Sequence, residues 1–281
     1  MMSQARLNAN WEPLYRVGGA AALITAVLIP LQIIVFIAWP PPLEGSVIDW
    51  FRLFQDNWLL GLLSFDLLLI VDYVLLVPIV LALYVALRQI SASLMAVATA
   101  LYFVAIAAYF ASNTAFEMLS LSEGYAAATT ESQRAMYLAA GQAMLATFEG
   151  TAFQVSYVFA SVAGIMIGVV MLRSEVFGRV AAYALILGDV IGLGLYVPTI
   201  GIFLSVISVP VLWIWYILIG RRLIQLGSGV SKKRLSCIGL KGGEDHRVVG
   251  RVALGILEWA YGVDRPHSPR VRWLGGLSLL Q

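Results

Sequence analysis

Two aspartates stand near the middle of runs that are otherwise almost free of charge: Asp72 in the apolar stretch 58–86 and Asp189 in the stretch 179–198. A third, Asp66, comes six residues before Asp72, about 9 Å further out along a helix. An Asp at the centre of a membrane helix costs about 2.5–3.5 kcal/mol on insertion scales, so it is expected to face the bundle interior and find a partner. No Lys or Arg lies at that depth, and the candidate partners are hydroxyls: Tyr102 near the middle of 92–112 and Ser161 near the middle of 152–172. Without a cation the neutral acid is favoured, and a neutral acid loses and regains a proton when water enters. That is the chemistry of a proton relay or a proton-coupled solute site. The competing reading is helix glue, in which a neutral Asp hydrogen-bonds across helices for about 0.6–2 kcal/mol per bond. On one regular helix Asp66 and Asp72 point about 120° apart, so they form no acid dyad. Catalysis by paired carboxylates would need Asp189 or another helix to complete the site.

Other chemistry is poorly supplied. The only cysteine is Cys237, and the two histidines, His246 and His267, also lie after residue 230. Residues 1–230 therefore lack the ligands of most metal sites and the Ser-His or Cys-His pairs of nucleophilic catalysis. There is no HExxH, no P-loop and no Gly-rich dinucleotide fingerprint. No catalytic residue, metal or cofactor is assigned, and an intramembrane enzyme ranks behind both readings of the buried acids. Nothing points to nucleic acid, because the basic residues flank apolar runs.

The elements that must hold these acids are long. Hydrophobic residues make up 60% of the chain and charged residues 12%, against about 45–50% and about 25% in soluble domains. A bilayer core needs about 20 apolar residues per helix, and six runs meet that length: 17–39, 58–86, 92–112, 152–172, 179–198 and 201–222. The first is expected to stay as a helix, since no small-residue cleavage site precedes Trp39 and Pro40-Pro41-Pro42. Arg6, Arg16, Arg88, Arg173, Arg179, Arg221 and Arg222 fall on one side of this threading. The other side holds only Arg52 and Arg134 against Glu44, Asp49, Asp56, Glu117, Glu123, Glu131 and Glu149. The positive-inside rule then puts both termini in the cytoplasm. Trp39, Trp50 and Trp58 mark the outer interface; Trp11, Tyr15, Trp213, Trp215 and Tyr216 lie toward the inner one.

Within the longest outer connection, about 113–151, Thr130 and Gln133 have capping-box spacing and predict a helix from Glu131. Met136, Ala140, Met144 and Phe148 recur at helical spacing, which predicts an amphipathic outer helix bending at Gly150 into the fourth span. Gly164 with Gly168, and Gly188 with Gly192, are small-xxx-small pairs that let helices approach closely. Pro30, Pro78 and Pro210 fall inside spans and are expected to kink them. Residues 229–281 carry nine basic and four acidic residues, a net +5. This segment is expected to be a poorly ordered cytoplasmic tail with a possible contact to anionic lipid.

The stretch Met118-Leu119-Ser120-Leu121-Ser122-Glu123-Gly124-Tyr125-Ala126-Ala127-Ala128-Thr129, then Glu131-Ser132-Gln133-Arg134-Ala135 and Ala139-Ala140-Gly141, carries a resemblance. With Val170-Met171-Leu172-Arg173-Ser174 and Trp215-Tyr216-Ile217-Leu218-Ile219-Gly220, it resembles the bacterial six-helix membrane family called domain of unknown function 4386 over residues 14–226. The resemblance implies a fold and a membrane location. It brings no established activity, so it transfers no functional residue, and the tail departs from its pattern. The expected protein is an all-α integral membrane protein of a bacterial cytoplasmic membrane. Its six transmembrane helices span residues 1–228 with an additional outer amphipathic helix, and its partner is the lipid bilayer. The sequence sets no oligomeric state. Its leading expected role is to bind or move a small solute or proton near the buried acids; the alternative is a non-catalytic accessory or regulatory protein.

Overall fold

A computed structural model gives the fold of residues 11–42 and 45–239, with side chains placed through Ser228. Among the described residues all regular structure is helical: α1 Glu12–Ala38, α2 Val47–Asp56, α3 Trp58–Ser64, α4 Leu67–Leu87, α5 Ala92–Ser112, α6 Ala115–Ala127, α7 Glu131–Phe148, α8 Thr151–Leu172, α9 Arg179–Leu193 and α10 Gly201–Gly239, with a 3-10 turn at Gly194–Tyr196. Six helical segments are long and apolar enough to cross a membrane: α1, α4, α5 continuing into α6, α7 continuing into α8, α9 with its 3-10 turn, and α10 through Ser228. Exposed apolar side chains such as Val27, Ile37, Val180, Ile202 and Phe203 line the outside of these helices.

Local chemistry sets the ends. α1 opens on Glu12 and Pro13, an acid and a proline suited to a first turn. Ser46 and Asp49 close a capping box on α2, and the Asn57 side chain accepts from the Leu59 and Leu60 amides at the start of α3. Thr130 and Gln133 form the expected capping box on α7, and α8 starts directly after Gly150.

The spans pack α1 against α4, α4 against α5, α5 against α8, and α8 against α9. Small residues set the approach. A Cβ at Gly18 would stand 2.8 Å from the Pro78 carbonyl oxygen, and one at Gly19 would stand 2.9 Å from that of Gly220. The interior is aliphatic, built on residues such as Ile79, Leu83, Ala163, Ile167 and Leu185. A second, aromatic core joins α2, α3, α6 and α7: Trp50, Phe51, Phe54 and Phe65 are buried there with Met118, and Tyr125, Tyr137 and Phe148 pack against them.

Three details depart from expectation. The run 58–86 is two helices, because Asp66 takes a left-handed conformation at φ 61 between α3 and α4. The chain there is longer than one crossing needs, and neighbouring side chains take up the freed carbonyls. Gln32 Nε2 donates to Leu63 O at 3.1 Å and Asn113 Nδ2 to Phe65 O at 3.0 Å. The 120° relation of Asp66 to Asp72 therefore does not apply. On α7 the buried face runs through Tyr137, Gly141, Met144 and Phe148, while Met136 is 60% exposed. A strict four-residue spacing drifts about 40° per step around a helix of 3.6 residues per turn, so Met136 rotates off the face that Phe148 occupies. Finally, α10 runs on to Gly239, past the expected tail boundary at 229; the rest of the tail reading, 240–281, lies outside the described residues, as does Arg6.

Candidate functional site

The two mid-span acids are interior groups: Asp72 on α4 is 6% exposed and Asp189 on α9 is 7% exposed. Each is placed by an antiparallel helix pair. Along α1, Gly18 lies opposite Pro78 and Ala82 of α4, and Gln32 opposite Leu63 at the end of α3. That register brings Thr25 beside the Asp72 carboxyl. Along α8 and α9, Gly168 lies opposite Ile186, and Tyr157 opposite Gly192. That register sets Asp189 against Gly164.

The Asp189 contact is a fitted one. A Cβ at Gly164 would overlap Asp189 Oδ2 and stand 3.1 Å from Tyr102 Oη. The missing side chain of Gly164 is thus the space that the carboxyl fills, with the Tyr102 hydroxyl at its edge. Glycine's small size here serves the acid as well as helix packing. Gly168 faces Ile186, Gly188 faces Leu212 of α10, and Gly192 faces Tyr157 and Ser208.

Burial is not matched by hydrogen bonding. Asp72 Oδ1, Thr25 Oγ1 and Asp189 Oδ2 have no hydrogen-bond partner among the described residues. The two acids are not in one another's company, but Tyr216 of α10 lies within electrostatic reach of both. The aromatic residues of α10 expected toward the inner interface turn into the bundle. Trp213 donates from Nε1 to Ala26 O at 2.7 Å, and Trp215 is buried in the aliphatic core with Tyr216 packed against it. Side chains tilt toward a helix's N-terminus, which carries these rings back from the Arg221 end toward the middle of the bundle.

A series of hydroxyls leads from the opposite end toward Asp189. Tyr196 Oη donates to Gln154 Oε1 at 2.7 Å, and this contact is exposed. Tyr157 Oη donates to Gly192 O at 2.9 Å and lies 3.2 Å from Ser205 Oγ. Tyr157 is within electrostatic reach of Asp189. Ser208 Oγ follows one turn on, donating to Ser205 O at 2.6 Å. Beside this series, Tyr73 and Tyr109 stack with ring centroids 3.9 Å apart, and Ser156 Oγ donates to Tyr73 Oη at 3.2 Å. Half-buried Asp66 lies within electrostatic reach of both stacked tyrosines.

Of the residues singled out from the sequence, the structure brings together Asp189, Tyr102 and Gly164. Ser161 is buried on α8 but hydrogen-bonds to neither acid. Thr25 and Tyr157 carry no signal in the sequence, and Tyr216 reads there only as an interfacial aromatic. Composition marks none of them as neighbours of an acid, and only the antiparallel registers single them out. No group of His, Cys, Asp or Glu suited to a metal ion occurs among the described residues. Compared with protein-family models, curated proteins and solved structures, the chain matches none.

Proposed function

We propose that this chain is a multi-pass protein of a bacterial cytoplasmic membrane that takes up and releases a proton at Asp189 and Asp72, alone or coupled to a small solute. One observation carries the reading: two buried carboxyls each hold an oxygen without a hydrogen-bond partner among the described residues. Helix glue predicts paired oxygens, because an unmade bond in an apolar interior costs about 1–3 kcal/mol. An exchangeable site needs an oxygen open to a transient partner, and the hydroxyl series from Tyr196 to Ser208 supplies a direction of approach. The resemblance to domain of unknown function 4386 agrees with the membrane location and adds no role.

The second reading, an accessory protein whose acids hold helices together, draws on the fit of Asp189 into the space at Gly164. Proton flux separates the two. Vesicles carrying the protein and an internal pH dye should show flux that the Asp72→Asn, Asp189→Asn double variant loses while it stays folded. Equal flux in the two preparations removes the proton reading. The cytoplasmic placement of both termini has its own check. In a Cys237→Ser background, an impermeant thiol reagent should label Glu123→Cys in intact cells and miss Ser231→Cys; the opposite pattern reverses the orientation.

A further inference from the structure

We infer that the pocket between the start of α9 and the Arg221–Arg222 turn of α10 binds the headgroup of an anionic phospholipid, an inference that rests on the membrane reading above. The pocket is open, with apolar walls from Phe177, Val180 and Leu218 and polar groups from Arg221, Arg222 and Gln225. Arg222 is held in place: Nε donates to Val176 O at 2.6 Å and Nη1 to Gln225 Oε1 at 3.3 Å. Its Nη2, and the whole guanidinium of Arg221, have no acceptor among the described residues. Glu175, the chain neighbour of Val176, pairs with neither; the ion pair found among the described residues is Arg52–Asp49. Two guanidinium groups with donors to spare are matched by a phosphate, which accepts from several at once.

The surroundings select a lipid over a free phosphate. Val180, Tyr183, Leu187 and Val190 are all more than half exposed and recur at helical spacing up α9 from the pocket. Ten residues of helix make a stripe about 15 Å long, comparable to an acyl chain. The stripe begins where the cations stand, so polar and apolar halves are ordered as in a phospholipid. The pocket also belongs to the end of the bundle that carries Arg88, Arg173 and Arg179, where attraction of anionic headgroups is expected.

The test uses the full chain in neutral detergent, titrated with phosphatidylglycerol, with phosphatidylcholine of the same chains, and with inorganic phosphate, read by native mass spectrometry and thermal melting. Phosphatidylglycerol should bind and raise Tm, and the other two should not. Arg221→Gln with Arg222→Gln should weaken phosphatidylglycerol binding at least about tenfold, given roughly fivefold per basic residue near a membrane surface. Replacing both by Lys should retain most of the preference, which guards against a Gln variant that fails to fold. Lys232→Gln, Lys233→Gln and Arg234→Gln together should leave the preference within about twofold, separating the pocket from the basic segment that follows. Equal binding of the two lipids, or no loss in the double Gln variant, overturns the site. Saturation by millimolar phosphate with loss of lipid binding reassigns it to a free anion and overturns the lipid. Alkaline extraction of the chain from membranes would instead defeat the membrane reading itself.

Discussion

The aromatic cap and the bundle interior treat polar groups in opposite ways. In the cap, Ser46 with Asp49, Asn57, and Thr130 with Gln133 all serve helix starts. Asn113 and Gln55 reach across to backbone carbonyls of Phe65 and Ser122. In the interior, Asp72, Asp189 and Thr25 each keep an oxygen without a partner among the described residues. The cap has two matching exceptions, the buried Ser64 and Ser122 hydroxyls. The exposed Asp49 carboxyl is hydrogen-bonded at a helix start, whereas the buried Asp72 and Asp189 carboxyls each leave an oxygen open where pairing would stabilise most. An interior arranged only for stability would do the reverse.

The largest expected effect breaks the interior at its tightest point. Gly164→Val puts a branched side chain into the space that Asp189 Oδ2 fills beside Tyr102 Oη, and overpacking of this kind costs about 1–3 kcal/mol. Melting in detergent should show a clear loss, against a smaller one for Gly192→Ala, whose Cβ would stand 3.2 Å from Tyr157 Oη. Equal losses would remove the special status of the Asp189 contact.

A somewhat smaller effect sharpens the contrast between acid and amide. Asp189→Asn keeps the size and the capacity to hydrogen-bond and should leave the melt nearly unchanged. Asp189→Leu forces a branched apolar side chain into the space the carboxyl fills against Gly164 and should cost about 1–3 kcal/mol. Asp72→Leu should cost less than Asp189→Leu, because no glycine gap confines it as Gly164 confines Asp189. If wild type, Asn and Leu variants melt alike at both sites, neither acid contributes to the interior.

The smallest effect lies in the cap. Ser46 donates to Asp49 Oδ2 from its hydroxyl and its amide, both at 2.8 Å, with Arg52 at 3.7 Å from Oδ1. The hydroxyl bond first, then the amide bond, hold the Asp49 carboxyl below its ordinary range. A depressed value in the folded state means the contribution is full above the unfolded value, near 3.9, and is lost as pH falls through the lower folded one. Amide exchange in α2 should therefore quicken relative to the intrinsic rate below about pH 4, and Asp49→Asn should remove that acid dependence. An unchanged profile in the variant would show that the capping box does not hold this helix start.

The legible part of the fold is the part written in local pattern. Apolar run length identifies six membrane-length segments, Thr130 and Gln133 mark the start of α7, and Gly150 marks its turn into α8. Asp72 and Asp189 stand out because a carboxylate in an apolar run is expensive wherever the helix goes. The break at Asp66 is hidden, since nothing in the apolar run 58–86 signals a left-handed residue, and the groups that support it come from Gln32 and Asn113. Spacing alone draws the stripe on α7 through Met136, because it does not say which face the cap covers.

Composition and periodicity therefore determined the helices, their lengths and the presence of acids among them, because these depend on each residue's own transfer energy and on the repeat of a single helix. Tertiary structure decided that Thr25 stands by Asp72, that Asp189 occupies the space Gly164 leaves, and that Tyr216 approaches both acids. Those facts depend on the register between antiparallel helices, which is set by many small packing contacts spread along each pair rather than by the residues that end up facing one another.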